Sequence, residues 1–363
     1  MIYLDNAATT PMAPEVVAAM EPYYMKCFGN PSSPHGLGKE ARAAIDSARK
    51  LIADVVGCLP KDIIFTSGGS EADNLALVTR NDVITSEIEH KAVLCSTLSD
   101  EDNRVRTCIN GVIDFCDLVS KIKTARVASV MAVNNETGVF QYYDLIGRIC
   151  HECDVLFHTD AVQGFGHRPI HIDNVDMMSV SGHKINGPKG IGFLYANQKA
   201  QITMIPNIFG GAQEFGHRAG TEAVPLIVGL AKAVELHSNP KPYNLGWFED
   251  RLVSECGAVI NGMSCHDDEW KNIINFQLDI HNDTMIQLLS KAEIYMSAGS
   301  ACNSSSSKPS HVLKAMGLTD EECNRSLRIS VGDGITKEDA DTVINEINRI
   351  RKEQKLFEVG LDE

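Results

Sequence analysis

One lysine stands among small, hydroxyl and glycine residues in Ser181-Gly182-His183-Lys184-Ile185-Asn186-Gly187-Pro188. The run Val175–Val180 before it reads as a short buried strand, and Ile191–Tyr195 after it as another. Lys184 therefore falls at a strand end. Desolvation there lowers an amine's pKa and makes it a nucleophile or Schiff-base former. Ser181 and His183 flank it with groups that hydrogen-bond an anion. Taken alone, the stretch also fits a surface turn with an ordinary lysine. Other chemistry-bearing residues change the balance. Ser67-Gly68-Gly69-Ser70 follows the apolar run Asp62–Thr66 and opens a helical pattern. A strand, a glycine turn and a helix N-terminus form a phosphate site, because free N–H groups point at the ligand. Ser70 with Asp73 three residues on reads as a capping box. His90 lies just past the strand Asp82–Thr85, Asn135 past Arg126–Val133, and Asp160 near the end of Asp154–Gln163. A carboxylate closing an apolar strand is costly unless it meets a cation. Cys302 sits in a Gly/Ser-rich stretch, Ser297–Ser307, where an exposed thiol invites a reactive role. Cys150-x-x-Cys153 falls on a helix and reads as incidental.

The elements that must position these residues alternate. Helices are expected at Pro14–Met25, Gly38–Val56, from Gly69 to Leu77, at Asp144–Cys153 and at Glu222–Leu236, with the strands above between them. That alternation predicts an α/β fold, with a mostly parallel sheet flanked by helices, and ligands bind at the C-terminal ends of such strands. Composition shifts at Ser238-Asn239-Pro240-Lys241-Pro242. Residues 15–240 are therefore expected to form a large domain. A smaller α+β domain would combine 1–14 with 241–363, including strands at Asn272–Leu278 and Leu327–Val331 and a final helix at Lys337–Lys352. The 363 residues carry a formal charge of -15, which argues against nucleic acid or an anionic membrane as a direct partner. No apolar run approaches the ~18 residues of a membrane span, and Met1 leads into no signal-like segment. Eleven scattered cysteines fit reduced thiols in the cytoplasm.

The motifs together resemble the cysteine desulfurases of the NifS/IscS type, pyridoxal-phosphate enzymes of the class-V aminotransferase group with fold type I. The resemblance spans nearly the whole chain. It is carried by Tyr3–Thr10, Thr66–Asn74, Glu89-His90-Lys91, Asn134–Gly138, Asp160–Gln163, Ser181–Lys184, Arg218–Thr221, Ser326–Ser330 and Gly299–Cys302. It implies that Lys184 holds pyridoxal 5'-phosphate covalently and later carries a proton. Asp160 would pair with the ring nitrogen, His90 would stack on the ring, and Gln163 would bond its phenolic oxygen. Gly69, Ser70, Ser181 and His183 would hold the phosphate, with Thr221 reaching in from a second subunit of a homodimer. Asn135 and Arg328 would bind the substrate carboxylate. Cys302 would take sulfur from L-cysteine as a persulfide and pass it to a protein acceptor, an iron–sulfur scaffold or a thio-modification enzyme. Gly69-Ser70 stands where the family more usually has Ala-Thr, and both pairs supply a backbone N–H and a hydroxyl. Other readings are a selenocysteine lyase, another class-V enzyme, or a non-catalytic partner protein. Cys302 argues against plain transamination, which needs no thiol.

Overall fold

Buried apolar strands separated by amphipathic helices build the larger sheet. The computed structural model describes residues 1–78, 82–97, 101–299 and 308–359. The strands in chain order are β1 (Ile2–Tyr3), β2 (Ile63–Thr66), β3 (Val83–Ser86), β4 (Arg104–Val105), β5 (Val127–Ser129) and β6 (Leu156–Asp160). They continue as β7 (Met177–Ser181), β8 (Gly192–Ala196), β9 (Val259–Ile260), β10 (Ile273–Gln277), β11 (Ile294–Tyr295) and β12 (Ser326–Ser330). A seven-stranded sheet has the order β2-β8-β7-β6-β5-β3-β4. All its pairings are parallel except those of β8, which is antiparallel to both β2 and β7. The reason lies in the connection between β7 and β8, residues 182–191, which is too short for a crossover of about a dozen residues. The same short connection carries Lys184.

Every residue of β2, β3 and β5 to β8 is buried. These strands are covered on both faces, so that even the polar residues they carry, such as His158, Thr159 and Ser179, are buried. The helix Gly36–Val56 buries Ala41, Ile45, Ala48 and Ile52, a 4-3-4 spacing that makes one face, and packs on Val224–Leu236. It ends at Gly57 with φ 84°, a left-handed cap that glycine adopts without strain. The helix Gly69–Leu77 lies against β7 and β8.

Two expectations need correction. Pro14–Met25 is not one helix but two, Pro14–Met20 and Pro22–Met25, because Pro22 has no N–H to continue the ladder. The run Arg126–Val133 contributes only Val127–Ser129 as regular strand. Beyond it Val130 and Ala132 still donate to His158 O and Asp160 O, and Val133 bridges to Phe140.

A second apolar cluster gathers Leu4, Phe248, Leu252, Ile274, Phe276, Leu289, Ile329, Ile344 and Ile347. It packs around the antiparallel sheet β12-β10-β9 and the parallel pair β1-β11. The chain's first residues thus return to the C-terminal strands: Leu4 O accepts from Ser330 N and Leu4 N donates to Tyr295 O. The helices Gly246–Cys256, Asn282–Lys291 and Lys337–Val359 belong to this part of the molecule.

Candidate active site

β2, β3, β5, β6 and β7 run in one direction, so their C-terminal ends share one edge. Gly69 and Ser70 follow β2, His90 follows β3, Asn135 follows β5, Asp160 ends β6 and Ser181 ends β7. One cavity of about 230 Å³ is lined by all of these together with Gln163, His183, Lys184 and Arg328. Arg328 arrives from β12, so the second sheet closes the cavity that the first opens.

Lys184 lies in the 3-10 turn Gly182–Lys184 directly after β7. Its Nζ donates to the carbonyls of Ala7 and Ala8, the latter at 2.7 Å. Gln163 Nε2 also donates to Ala7 O, at 2.8 Å. Thr10 pins the turn, since its N–H and hydroxyl both donate to His183 O. Asp160 is 5% exposed, and Oδ1 accepts from Val162 N at 2.9 Å. Burial pushes its pKa up, while His90, the Val162 N–H and Lys184 pull it back. Burial also pushes the His90 pKa down. His90 Nδ1 accepts from Ala92 N at 3.1 Å, so the neutral ring carries its hydrogen on Nε2. His183 is pushed down to about 4 by burial and by Lys184 and Lys189, so at neutral pH it offers one N–H and no charge. Arg328 is 2% exposed; Nη1 donates to Asn135 O at 2.8 Å and Nη2 to Asp5 Oδ1 at 2.7 Å. Its Nε is buried without a hydrogen-bond partner. A buried donor left unpaired is costly, and a ligand carboxylate would relieve it.

The glycine turn is built differently from a capping box. Gly68 is the N-cap, with φ 153°, and Asp73 is buried at 1% exposure instead of capping. Glu71 ties the turn instead: its Oε2 accepts from Ser67 N at 2.8 Å while Oε1 accepts from Arg218 Nε at 3.0 Å. A second, shallower opening borders the cavity, lined by Thr9, Ser67–Glu71, Ser181, His183 and Lys189. A Cβ on Gly68 would come no nearer than 3.8 Å to Ser181 Oγ, so the space between the two turns is open. A Cβ on Gly69 would lie 2.7 Å from Val162 Cγ2, so the glycine that replaces the more usual alanine makes room for Val162. An open cradle of a helix N-terminus, the hydroxyl residues Thr9, Ser67, Ser70 and Ser181, and a lysine suits a phosphate. A cavity with an amine and a buried carboxylate suits the pyridine ring beside it. The residues present fit pyridoxal phosphate.

A family model described as aminotransferase class-V matches residues 2–343. The cysteine desulfurase IscS of Rickettsia conorii is 38% identical over 99% of this chain and 95% of its own length. The chain belongs to the class-V aminotransferases, in the NifS/IscS group of cysteine desulfurases. Among solved structures, a NifS-like protein superposes with a TM-score of 0.86 at 32% identity, covering 97% of this chain and 99% of that one. SspA in complex with cysteine superposes with a TM-score of 0.79 at 35% identity, covering 93% and 100%. The architecture is that of pyridoxal-phosphate fold type I.

One expected site residue of this class-V chain stands apart from the cavity, and the structure does not describe another. Thr221 is exposed on the segment that follows Arg218 and does not line the cavity of its own chain. Cys302 lies outside the described residues. Other participants escaped the reading of the sequence. The carbonyls of Ala7 and Ala8 carry no signal in residue type. Asp73, Met131 and Val162 line the cavity. Asp5 pairs with Arg328 across 323 positions of chain. The run Tyr3–Thr10 held the clue, since Asp5 opens a polar turn directly after a short strand.

Proposed function

We propose that this chain is a pyridoxal-phosphate-dependent cysteine desulfurase, which converts L-cysteine to L-alanine and leaves a persulfide on Cys302. The observation that carries this reading is the convergence of Lys184, Asp160, His90, Arg328 and the phosphate cradle on one cavity. Pyridoxal phosphate, when bound, supplies an electron sink beside the substrate amine. Lys184 would hold it through the amine. Gly69, Ser70, Ser181 and His183 would hold its phosphate, with Thr221 supplied by the second subunit of a homodimer. Asp160 would face the ring nitrogen, where a cation partner offsets the cost of burying a carboxylate. Gln163 would bond the phenolic oxygen, and His90 would cover the ring face.

The chain's own groups then divide the work. The Arg328 guanidinium and the Asn135 side chain would receive the substrate carboxylate. His90, locked as the Nε2–H tautomer by Ala92 N, holds a proton at the cavity wall. Cys302, as thiolate, attacks the substrate sulfur. The S–S bond forms and the substrate C–S bond breaks, its electron pair staying with carbon. A proton moved by Lys184 or His90 completes alanine. A protein acceptor, an iron–sulfur scaffold or a thio-modification enzyme, then takes the sulfur. Residues 15–240 would hold the cofactor, and 1–14 with 241–363 would carry Cys302. No described helix is long and apolar enough to cross a membrane. A cytoplasmic location is proposed from the cysteine usage.

The test supplies purified protein with L-cysteine and a thiol reductant and quantifies alanine and sulfide together. Equal yields, lost in both Lys184→Ala and Cys302→Ala, are expected. Turnover that survives Cys302→Ala would overturn the assignment of the thiol. Cofactor-loaded protein that makes neither product would overturn the substrate.

A further inference from the structure

Behind Lys184, on the side away from the cavity, two residues with no role in the chemistry form a continuous hydrogen-bonded link. His167 is 5% exposed and sits in the turn that follows β6. Its Nε2 lies 2.9 Å from the carbonyl oxygen of Lys184, and its Nδ1 lies 2.8 Å from the hydroxyl of Tyr243. The partner atoms decide the tautomer. A carbonyl only accepts, so Nε2 carries the hydrogen. Nδ1 is then an acceptor, and the Tyr243 hydroxyl must donate to it. The Asn272 side chain lies beside the Tyr243 hydroxyl. Both ends of the central bond are uncharged. Burial pushes the imidazole down to about 4 and pushes the phenol up. The link therefore holds its pattern of donors and acceptors across the whole neutral range.

The far end of the link belongs to the other sheet. Asn272 immediately precedes β10, and its carbonyl accepts from Val331 N at the end of β12. β10 pairs with β12 in a register that sets Asn275 opposite Arg328. Tyr243 packs against the apolar cluster of that sheet, and its N–H donates to Glu269 O at 2.8 Å. One path thus runs from the strands that carry Arg328, through Tyr243 and His167, to the backbone of Lys184. The chemistry proposed above needs the Lys184 amine and the Arg328 guanidinium at a fixed separation, because one substrate must meet both.

We propose that His167 and Tyr243 are positioning residues, a neutral link that sets the Lys184 backbone against the sheet bearing Arg328. The inference rests on the reading of Lys184 as the lysine that holds the cofactor. Tyr243→Phe deletes the hydroxyl and keeps the ring packing. His167→Leu deletes both bonds, and His167→Gln restores an N–H where Nε2 stood.

The experiment compares cofactor-loaded parent, Tyr243→Phe, His167→Leu, His167→Gln and the Tyr243→Phe/His167→Leu pair. It measures kcat and KM for L-cysteine, and titrates the visible absorbance of the bound cofactor with pH. Misplacing a reacting group by 1 Å costs up to about 100-fold, and loss of one anchor is expected to lower kcat roughly tenfold. The absorbance midpoint is expected to move in Tyr243→Phe and His167→Leu, and His167→Gln to recover most of both losses. The double variant is expected to be no worse than His167→Leu alone, because the two residues act in series. Independent, additive losses would overturn the link. So would a Tyr243→Phe protein with parent kcat and parent absorbance titration, and this variant decides the matter even if His167→Leu fails to fold. A parent whose absorbance is unchanged by Lys184→Ala would instead overturn the reading of Lys184.

Discussion

Glu89 shows how one buried group makes stability depend on pH. It is fully buried; Oε1 accepts from Ser86 Oγ and from Met131 N at 2.9 Å, and Oε2 has no partner. Burial pushes its pKa from 4.5 up to about 8. Between those values the folded protein holds a proton that the unfolded chain has released. The contribution is therefore fully present below about 4.5 and is lost as pH rises through about 8. Glu89→Gln keeps the acceptor and cannot ionise. The variant is expected to match the parent in urea midpoint at pH 5 and to exceed it at pH 9, by on the order of a few kcal/mol. A parent whose midpoint does not fall relative to the variant over that range would mean that Glu89 is ionised in the fold. At this scale the sequence was legible where chemistry follows residue type and a strand end. Lys184, Asp160, His90 and the Gly69-Ser70 turn all announce themselves that way. It was silent on Ala7 and Ala8, whose backbone oxygens do the binding, and on Asp5, whose partner Arg328 comes from the opposite end of the chain.

Elements were legible where the period was clean. Gly36–Val56 has a regular apolar face, and β8 is an apolar run bounded by polar turns. The helices Phe115–Lys121 and Gly246–Cys256 were not anticipated: FCDLVSK is only two turns long, and the buried spacing Phe248, Leu252, Cys256 is interrupted by the charges at 249–251 and 255. They fold as helices through tertiary packing, Leu118, Phe248 and Leu252 being fully buried. The segment before Thr221 is held in a way no local pattern shows. Glu214 and Phe215 have φ of 49° and 57°, a left-handed region that non-glycine residues avoid. Glu214 meets Arg49 in a two-point ion pair at 2.8 Å each and accepts from Phe65 N at 2.9 Å, while Arg49 also lies over the rings of Phe65 and Phe215. The pair thus fastens this segment to Gly36–Val56 and β2. Glu214→Ala leaves the Arg49 charge buried and alone, and is expected to cost about 3–5 kcal/mol in urea denaturation. Arg49→Met combined with Glu214→Leu is expected to recover part of the loss. An unchanged midpoint in Glu214→Ala would show that water reaches Arg49.

At the scale of the whole molecule, apolar side chains are exposed around Thr221, which does not line the cavity of its own chain. Ile208, Phe209 and Phe215 are 39%, 80% and 56% exposed. Ile208 O accepts from Ala219 N, which places this apolar surface two residues from Thr221. An isolated chain would leave these side chains in water, whereas a second copy of the chain would cover them and bring Thr221 to the neighbour's phosphate cradle. Burial of a Phe side chain is worth about 1.5–3 kcal/mol, so several such residues favour association. The homodimer and the cofactor site are then one prediction. Light scattering of the cofactor-loaded protein is expected to give twice the chain mass, and Phe209→Asp to give single chains that lose pyridoxal phosphate on gel filtration. Thr221→Ala separates the two effects, since it removes one phosphate contact without touching the apolar surface. It is expected to remain dimeric and to release the cofactor several-fold faster. Single chains that hold the cofactor and turn over L-cysteine would rule out the shared site, and would leave the cradle of Gly69, Ser70, Ser181 and His183 sufficient by itself.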